Sequence, residues 1–256
     1  MIHIRIPEDE SRRLSFYLAA EEYVARRLND GPDCFFMWQV EPTVIFGRNQ
    51  DIEAEVNLDY CREHHIQFFR RRSGGGCVYA DKSNVMMSYI TRDEQVGFTF
   101  NRYMTLVTSM LAELGLPATS TQHNDVLIDG RKVSGNAFYH IPGHSIVHGT
   151  MLFDTDMEHM LHALTPPREK LDSHGVQSVR QRITLLKEHT SLTIEQFKQH
   201  AIARLCDSER LLTPEDIKEV EQIELGYLDP RFIWGKSLKF NVNSYFVNRQ
   251  IVTYKG

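Results

Sequence analysis

The sequence predicts an α+β fold in which mostly antiparallel, mixed sheets are flanked by helices. Three observations predict it. Short apolar runs rich in β-branched and aromatic residues crowd the chain from CFFMWQV to HGTMLF. Within them lies Asp129-Gly130, a strong hairpin signal because both positions tolerate positive φ. After Asp154 the pattern turns helical. Strands and helices thus segregate along the chain instead of alternating as βαβ units.

HIRI, near residue 3, reads as a strand. Ser11 to Leu28 reads as an amphipathic helix, with Leu14, Tyr17, Leu18, Val24, Ala25 and Leu28 at helical spacing. Glu21 falls on that apolar stripe, so it is expected to be buried and paired with an arginine. CFFMWQV and TVIFG read as two central strands joined by a turn at Glu41-Pro42. Asn57 to His64 reads as a short helix, and QFFR, GCVYA and NVMMSYI as strands. Thr99 to Leu114 reads as a helix stopped near Gly115 and Pro117. DVLIDGRKVSGNAFYH reads as a hairpin and HSIVHGTMLF as a further strand. MEHMLHAL, IEQFKQHAIARL and PEDIKEVEQI read as helices. The last stretch, SLKFNVNSYFVNRQIVTYKG, reads as extended, with Phe240, Val242, Tyr245 and Phe246 packing back on the main body.

The 256 residues suffice for one large domain, or one domain and a small one, with a core that needs no staples. A net charge of −5 argues against nucleic acid as the main partner. No run approaches the roughly 18 apolar residues of a membrane span. Cys34, Cys61, Cys77 and Cys206 are widely spaced and form no CxxC pair. They read as reduced, mostly buried thiols of a cytoplasmic protein.

The stretch RRRSGGGCVYAD, Arg70 to Asp81, carries the first chemistry. Gly74, Gly75 and Gly76 expose backbone N–H groups to close approach, and the arginines beside them suit a carboxylate or phosphate. No GKS or GKT follows, so this is not a P-loop, and no GxGxxG opens a helix. A tight β-turn is the plainer use of three glycines. RKVSGNAFYH carries the second. There Lys132 either neutralises a carboxylate and a phosphate together, as acyl adenylation requires, or is a solvated hairpin lysine. Asp125, after Asn124, either orients Lys132, holds a metal or ribose, or caps a turn. His144 and His148 lie about 13 Å apart on a strand, too far to share a metal whose ligands sit about 2 Å away. His148 reads instead as a pocket or strand-end residue. Arg180 and Arg182, alternating with apolar residues, read as structural salt-bridge formers.

Together these segments resemble the lipoate-protein ligase A family, from about residue 8 to about 248. RRRSGGGCVYAD is similar to the family's RRxxGGGxVxHD loop, and KVSGNA to the KxSGxA segment that holds its catalytic lysine. NDV, HGTMLF, GVQSVRQRITLL and WQVEPTVIFGRNQ resemble the flanking segments. The resemblance implies a biotin/lipoate-ligase-like catalytic domain over 1–248, with 249–256 a C-terminal extension beginning a possible accessory domain. It implies that lipoate and ATP, with Mg2+, give lipoyl-AMP. The acyl group then passes to a lysine of apo lipoyl-domain proteins, namely E2 subunits of 2-oxoacid dehydrogenases and the glycine cleavage H protein. Lys132 would be catalytic, bridging carboxylate and phosphate oxygens. Arg71, Gly74, Gly75 and Gly76 would line the lipoyl-AMP site, with Asn124, Asp125 and His148 near the adenylate.

The sequence departs from the family where Ala80-Asp81 replaces His-Asp. Many members also carry an accessory domain after the catalytic one, which some relatives supply as a separate polypeptide. The chain reaches Gly256 about where that domain would begin, so a separate accessory-domain protein is an expected partner, and weak activation of free lipoate by the chain alone is expected. The rival reading is a lipoyl- or octanoyl-transferase on the same fold, using Cys77 as nucleophile. A biotin ligase would show a GRGRxGR-like loop, and a binding-only module would not need Lys132.

Overall fold

The computed structural model describes residues 1–7, 12–28, 31–92, 95–122, 124–165, 182–235, 243–247 and 250–254. Its strands are β1 (Ile2–Arg5), β2 (Cys34–Trp38), β3 (Thr43–Phe46), β4 (Gln67–Arg70), β5 (Val78–Ala80), β6 (Val85–Thr91), β7 (Ala118–Ser120), β8 (Asp125–Ile128), β9 (Arg131–Ile141), β10 (His144–Met151), β11 (Ser208–Leu211), β12 (Asn243–Val247) and β13 (Gln250–Tyr254). Its helices are α1 (Leu14–Tyr23), α2 (Ile52–Glu55), α3 (Leu58–Glu63), α4 (Val96–Glu113), α5 (Met157–Ala163), α6 (Ile194–Leu205), α7 (Pro214–Leu228) and α8 (Pro230–Trp234). The segment expected as one helix to Leu28 is α-helical to Tyr23 and then widens into a π-helical turn, Val24–Leu28.

Period-two alternation places the large sheet between two helical layers. Phe36, Trp38, Met86, Ile90 and Ile146 pack with α1 and α7 on one face. Phe35, Met87, Tyr89 and Val147 pack with α4 and α6 on the other. β6 is buried at every position, as a strand covered on both faces must be. The strand order is β11-β1-β2-β6-β10-β9-β8-β7, antiparallel except where β1 runs parallel to β11 and β2. A second sheet, β4-β3-β5, encloses Val44, Phe46, Phe68 and Tyr79 with Met160 and Trp234.

The two apolar runs expected as neighbouring central strands therefore separate: β2 enters the large sheet and β3 the small one. The Glu41-Pro42 turn carries the chain between sheets, and the glycine loop between β4 and β5 lies at the other end of β3, against Gly47. β11 gave no sequence signal because all four of its residues are exposed and nothing alternates. It forms by parallel pairing with β1, from Ile2 opposite Ser208 to Arg5 opposite Leu211. β12 and β13 pair antiparallel with each other, Asn243 opposite Tyr254, on either side of the expected boundary at 248. Phe240 and Val242 lie outside the described residues. No described helix is long and apolar enough to cross a membrane.

The hairpin expected at Asp129-Gly130 joins β8 to β9, with φ of 49° and 74°, both left-handed as a type I′ turn requires. Its ladder is not regular. Leu127 faces Lys132 and Val126 faces Ser134, so Val133 is an extra residue on β9. Such a bulge bends the strand and re-aims its side chains. Here it sits next to Lys132.

Candidate active site

Two chambers meet between the sheets. The inner one, about 230 Å3, is lined by apolar Leu18, Trp38, Ile45 and Met86 with His148. The outer one, about 500 Å3, runs past Gln50 and Glu55 to Tyr79, Met160, Leu164 and Arg182. Gly76, Cys77, Asp125, Lys132 and Gly135 line both chambers and so form the neck.

Lys132 reaches that neck because three local features agree. The bulge at Val133 reorients β9. Gly135 leaves room for the lysine: a Cβ there would lie 2.7 Å from Nζ and 2.8 Å from Cε. Opposite Gly135 stands Asp125, whose Oδ1 accepts from Nζ at 2.8 Å. The ammonium is thus held over a bare backbone by one carboxylate, with its side chain still 38% exposed. Among the three uses expected for Asp125, orientation of Lys132 is the one its contacts describe. Asn124 has φ of 71°, and its carbonyl accepts from Asn136 N and Nδ2, both at 3.0 Å. It lines the inner chamber from the turn that starts β8.

The glycine loop is built differently. Arg70 donates to the carbonyls of Gly47, Arg48, Gln50, Phe232 and Ile233, the shortest at 2.7 Å. Arg71 donates to Gly74 O and Gly76 O, both at 2.7 Å, and to Ile45 O at 3.2 Å. Arg72 pairs with Glu22 at 2.9 Å and lies over the Tyr227 ring. Of the triplet, Arg71 alone holds the glycine loop's own backbone, and it also lines the inner chamber. Burial lowers Arg71 to about 10, which leaves it charged at neutral pH. No carboxylate bonds with it among the described residues, so its charge reaches the inner chamber as a field.

Gly75, at φ of +91°, takes a conformation that a side chain disfavours. Gly47, which the sequence reading passed over, lets the loop lie against β3: a Cβ there would meet Gly75 O at 2.2 Å. Gly74 gives its carbonyl to Arg71, while Gly75 and Gly76 line the inner chamber.

His148 is mid-strand on β10, opposite Ser88 and Ala137, and lines the inner chamber. Its Nδ1 meets Glu21 Oε2 at 2.8 Å and its Nε2 meets Ser73 Oγ at 2.8 Å. Ser88 Oγ donates to Glu21 Oε1 at 2.6 Å, and Trp38 Nε1 donates to Ser88 Oγ at 2.9 Å. Glu21 is buried as expected, but its partner is this histidine. The arginine goes instead to Glu22, the next residue. A carboxylate accepting at Nδ1 fixes which ring nitrogen faces Ser73, the first residue after the triplet.

Cys77 sits at the neck, where burial and then nearby Glu55 push its thiol up to about 12. A thiol so shifted is protonated at neutral pH and is a poor nucleophile. At the departure from the family pattern, Ala80 is fully buried in the core beneath α1. Asp81 accepts from Ser83 N at 2.8 Å and Asp156 N at 3.0 Å, tying β5 to the start of α5. Burial raises the Asp81 carboxyl. His144 and His148 share β10 but not a site. Among the described residues no group of three or more His, Cys, Asp or Glu is placed to hold a metal. Arg180 lies outside the described residues. Arg182 makes no ion pair among the described residues and lines the outer chamber, so the structural salt bridge expected of it is not found there.

Residues 14–206 match a family model for the lipoyl protein ligase A/B catalytic domain. Lipoate-protein ligase LplJ of Bacillus subtilis is 34% identical over 237 residues, which are 88% of this chain and 72% of that protein. A bipartite lipoate protein ligase from Thermoplasma acidophilum, solved as an archaeal lipoylation system with its E2 lipoyl domain, shares the fold with a TM-score of 0.81. It is 24% identical, covering 91% of this chain and 95% of that one. A lipoate-protein ligase A bound with ATP superposes with a TM-score of 0.77 at 21% identity, over 92% and 97% of the two chains.

Proposed function

The chain belongs to the lipoyl protein ligase A/B catalytic-domain family, and we propose on that footing that it activates lipoate with ATP and transfers the lipoyl group to lysines of lipoyl domains. The observation that carries this reading is the neck. One fixed ammonium stands where the inner chamber, with Leu18, Trp38, Ile45 and Met86 on its wall, meets a larger outer one. An acyl chain in the inner chamber would bring its carboxylate to Lys132, and a nucleotide in the outer chamber would bring its α-phosphate to the same point.

In the first step a carboxylate oxygen attacks the α-phosphorus and pyrophosphate leaves, giving lipoyl-AMP. Negative charge builds on the phosphoryl oxygens, and a preorganised ammonium with bare N–H groups stabilises it. In the second step the target amine attacks the acyl carbon, AMP departs and the amine loses a proton. The mixed anhydride is already activated, so placement is what the protein adds. Cys77 has no part in either step. Its raised thiol speaks against the transferase reading with a cysteine nucleophile.

Magnesium fits as a partner of the triphosphate. It favours one or two carboxylates plus substrate phosphates over an all-protein cage, and among the described residues Glu55 and Asp125 are the carboxylates that line the outer chamber. When bound it would screen phosphate charge. The acceptors would be apo lipoyl domains of E2 subunits and the glycine cleavage H protein. We assign 1–248 to the catalytic domain and the residues after it to the start of an accessory unit.

Mass spectrometry of an apo lipoyl domain tests the proposal. One reaction holds lipoate, ATP and Mg2+, a second holds lipoyl-AMP, and a third adds an accessory-domain protein to the first. Modification in the second arm with either of the others is expected. Octanoyl transfer through a thioester at Cys77 would overturn it.

A further inference from the structure

We infer that Arg182 binds the β- and γ-phosphates during activation and so holds the pyrophosphate that leaves. The inference rests on the ligase reading above and adds a residue to it.

A nucleoside triphosphate carries several negative charges into the outer chamber, and cations must meet them away from the reacting α-phosphorus. Arg70, Arg71 and Arg72 are committed to carbonyls and Glu22. Among the described residues, the charged side chains lining the outer chamber are Glu55, Asp125, Lys132 and Arg182. Lys132 is held at the neck by Asp125 at 2.8 Å. Arg182 is exposed and has no carboxylate partner among the described residues. Among the described residues it is the second cation of the chamber, whose other charged groups are matched or acidic.

Its position is fixed by backbone. Ile183 pairs with Lys132 as a parallel bridge, and Thr184 N donates to Lys132 O at 2.9 Å. Arg182 is therefore one residue from a segment locked to the strand that carries the neck lysine. A planar guanidinium with five donors suits phosphate oxygens bidentately. When the bond between the α-phosphorus and its bridging oxygen breaks, the electron pair goes to pyrophosphate, and a cation at that end stabilises the leaving group. The transfer step contains no pyrophosphate, so Arg182 has nothing to hold there.

This separates two ligands of one site. Titration calorimetry of the full chain would measure binding of ATP, inorganic pyrophosphate and lipoyl-AMP to wild type, Arg182→Gln and Arg182→Lys. Loss of a charge-assisted contact predicts about tenfold or more weaker binding of ATP and pyrophosphate to Arg182→Gln. Lipoyl-AMP affinity should stay within about twofold, and Arg182→Lys should retain most of the phosphate affinity. An exposed side chain should leave Tm unchanged, which checks folding. Unchanged ATP affinity, or equal weakening for all three ligands, overturns the inference. A wild-type chain that binds neither ATP nor lipoyl-AMP overturns the ligase reading itself.

Discussion

The arginine triplet and the Lys132 hairpin both put positive charge beside the same cavity, yet they use it oppositely. Arg70 and Arg71 are buried, and their guanidinium groups end on backbone carbonyls. Lys132 is half-exposed, ends on one carboxylate and leaves two of its three donors to the neck. A planar fork with several fixed donors is suited to gathering carbonyls from separate segments. A compact ammonium at the end of a flexible stem is suited to meeting a charge that develops during reaction. On the proposed reading Arg70 and Arg71 shape the loop and supply a field, while the hairpin would supply the contact.

The comparison breaks most sharply at Lys132. Replacing it with Ala should cut lipoate-dependent pyrophosphate release by at least about a hundredfold, as for other preorganised donors, while Tm stays near wild type. Near-normal release would remove Lys132 from the chemistry. Arg70→Ala should show the reverse emphasis. It strands carbonyls from two parts of the chain, at a cost of about 3 kcal/mol, or roughly 6–12 °C in Tm for a chain this size. Thermal unfolding followed by circular dichroism reads it, and an unchanged Tm would mean the triplet is not structural.

The glycines sharpen the comparison with smaller effects. Gly75→Ala forces a Cβ into positive φ, 3.0 Å from Arg71 Nη2, and should lose about 1 kcal/mol of stability. Gly76 has open space at its Cβ position and lines both chambers. Gly76→Ala should keep Tm and weaken lipoyl-AMP binding, because only the ligand approaches there. If binding holds at Gly76→Ala, the loop is a turn and nothing more. The smallest effect is expected at Cys77. Its thiol is raised from 9.0 to about 12, so the proton stays on as pH rises through neutrality and leaves only near pH 12. Carbamidomethylation at pH 8 should run about a thousandfold slower than at an unshifted thiol, and Cys77→Ala should keep activity. Rapid labelling at pH 8 would contradict this.

Much of this was legible in the sequence where local chemistry decides. Asp129-Gly130 set the hairpin, apolar runs rich in β-branched and aromatic residues marked the core strands, and the resemblance of KVSGNA to the family's lysine segment singled out Lys132. What escaped depends on distant pairing. Helical spacing showed that Glu21 faces inward, but its partner is His148, 127 residues along the chain, brought there by the register of β10. The bulge at Val133 leaves no trace in RKVSG, because it is a mismatch between two strands. Nothing in RRRSGGG tells that Arg70 and Arg71 end on carbonyls of β3, of the loop after it, of the glycine loop and of α8, since those acceptors carry no side-chain signature. For the same reason Arg182 read as a salt-bridge residue until the cleft beside it was visible.

A crystal structure with bound lipoyl-AMP tests the division of labour most directly, by showing which cation touches the phosphate. The account predicts Lys132 Nζ at about 2.8 Å from a phosphate oxygen. It also predicts Arg70 and Arg71 still donating to the carbonyls they hold now. Arg71 released from Gly74 and Gly76 and turned onto the phosphate, with Lys132 left on Asp125 alone, would contradict it.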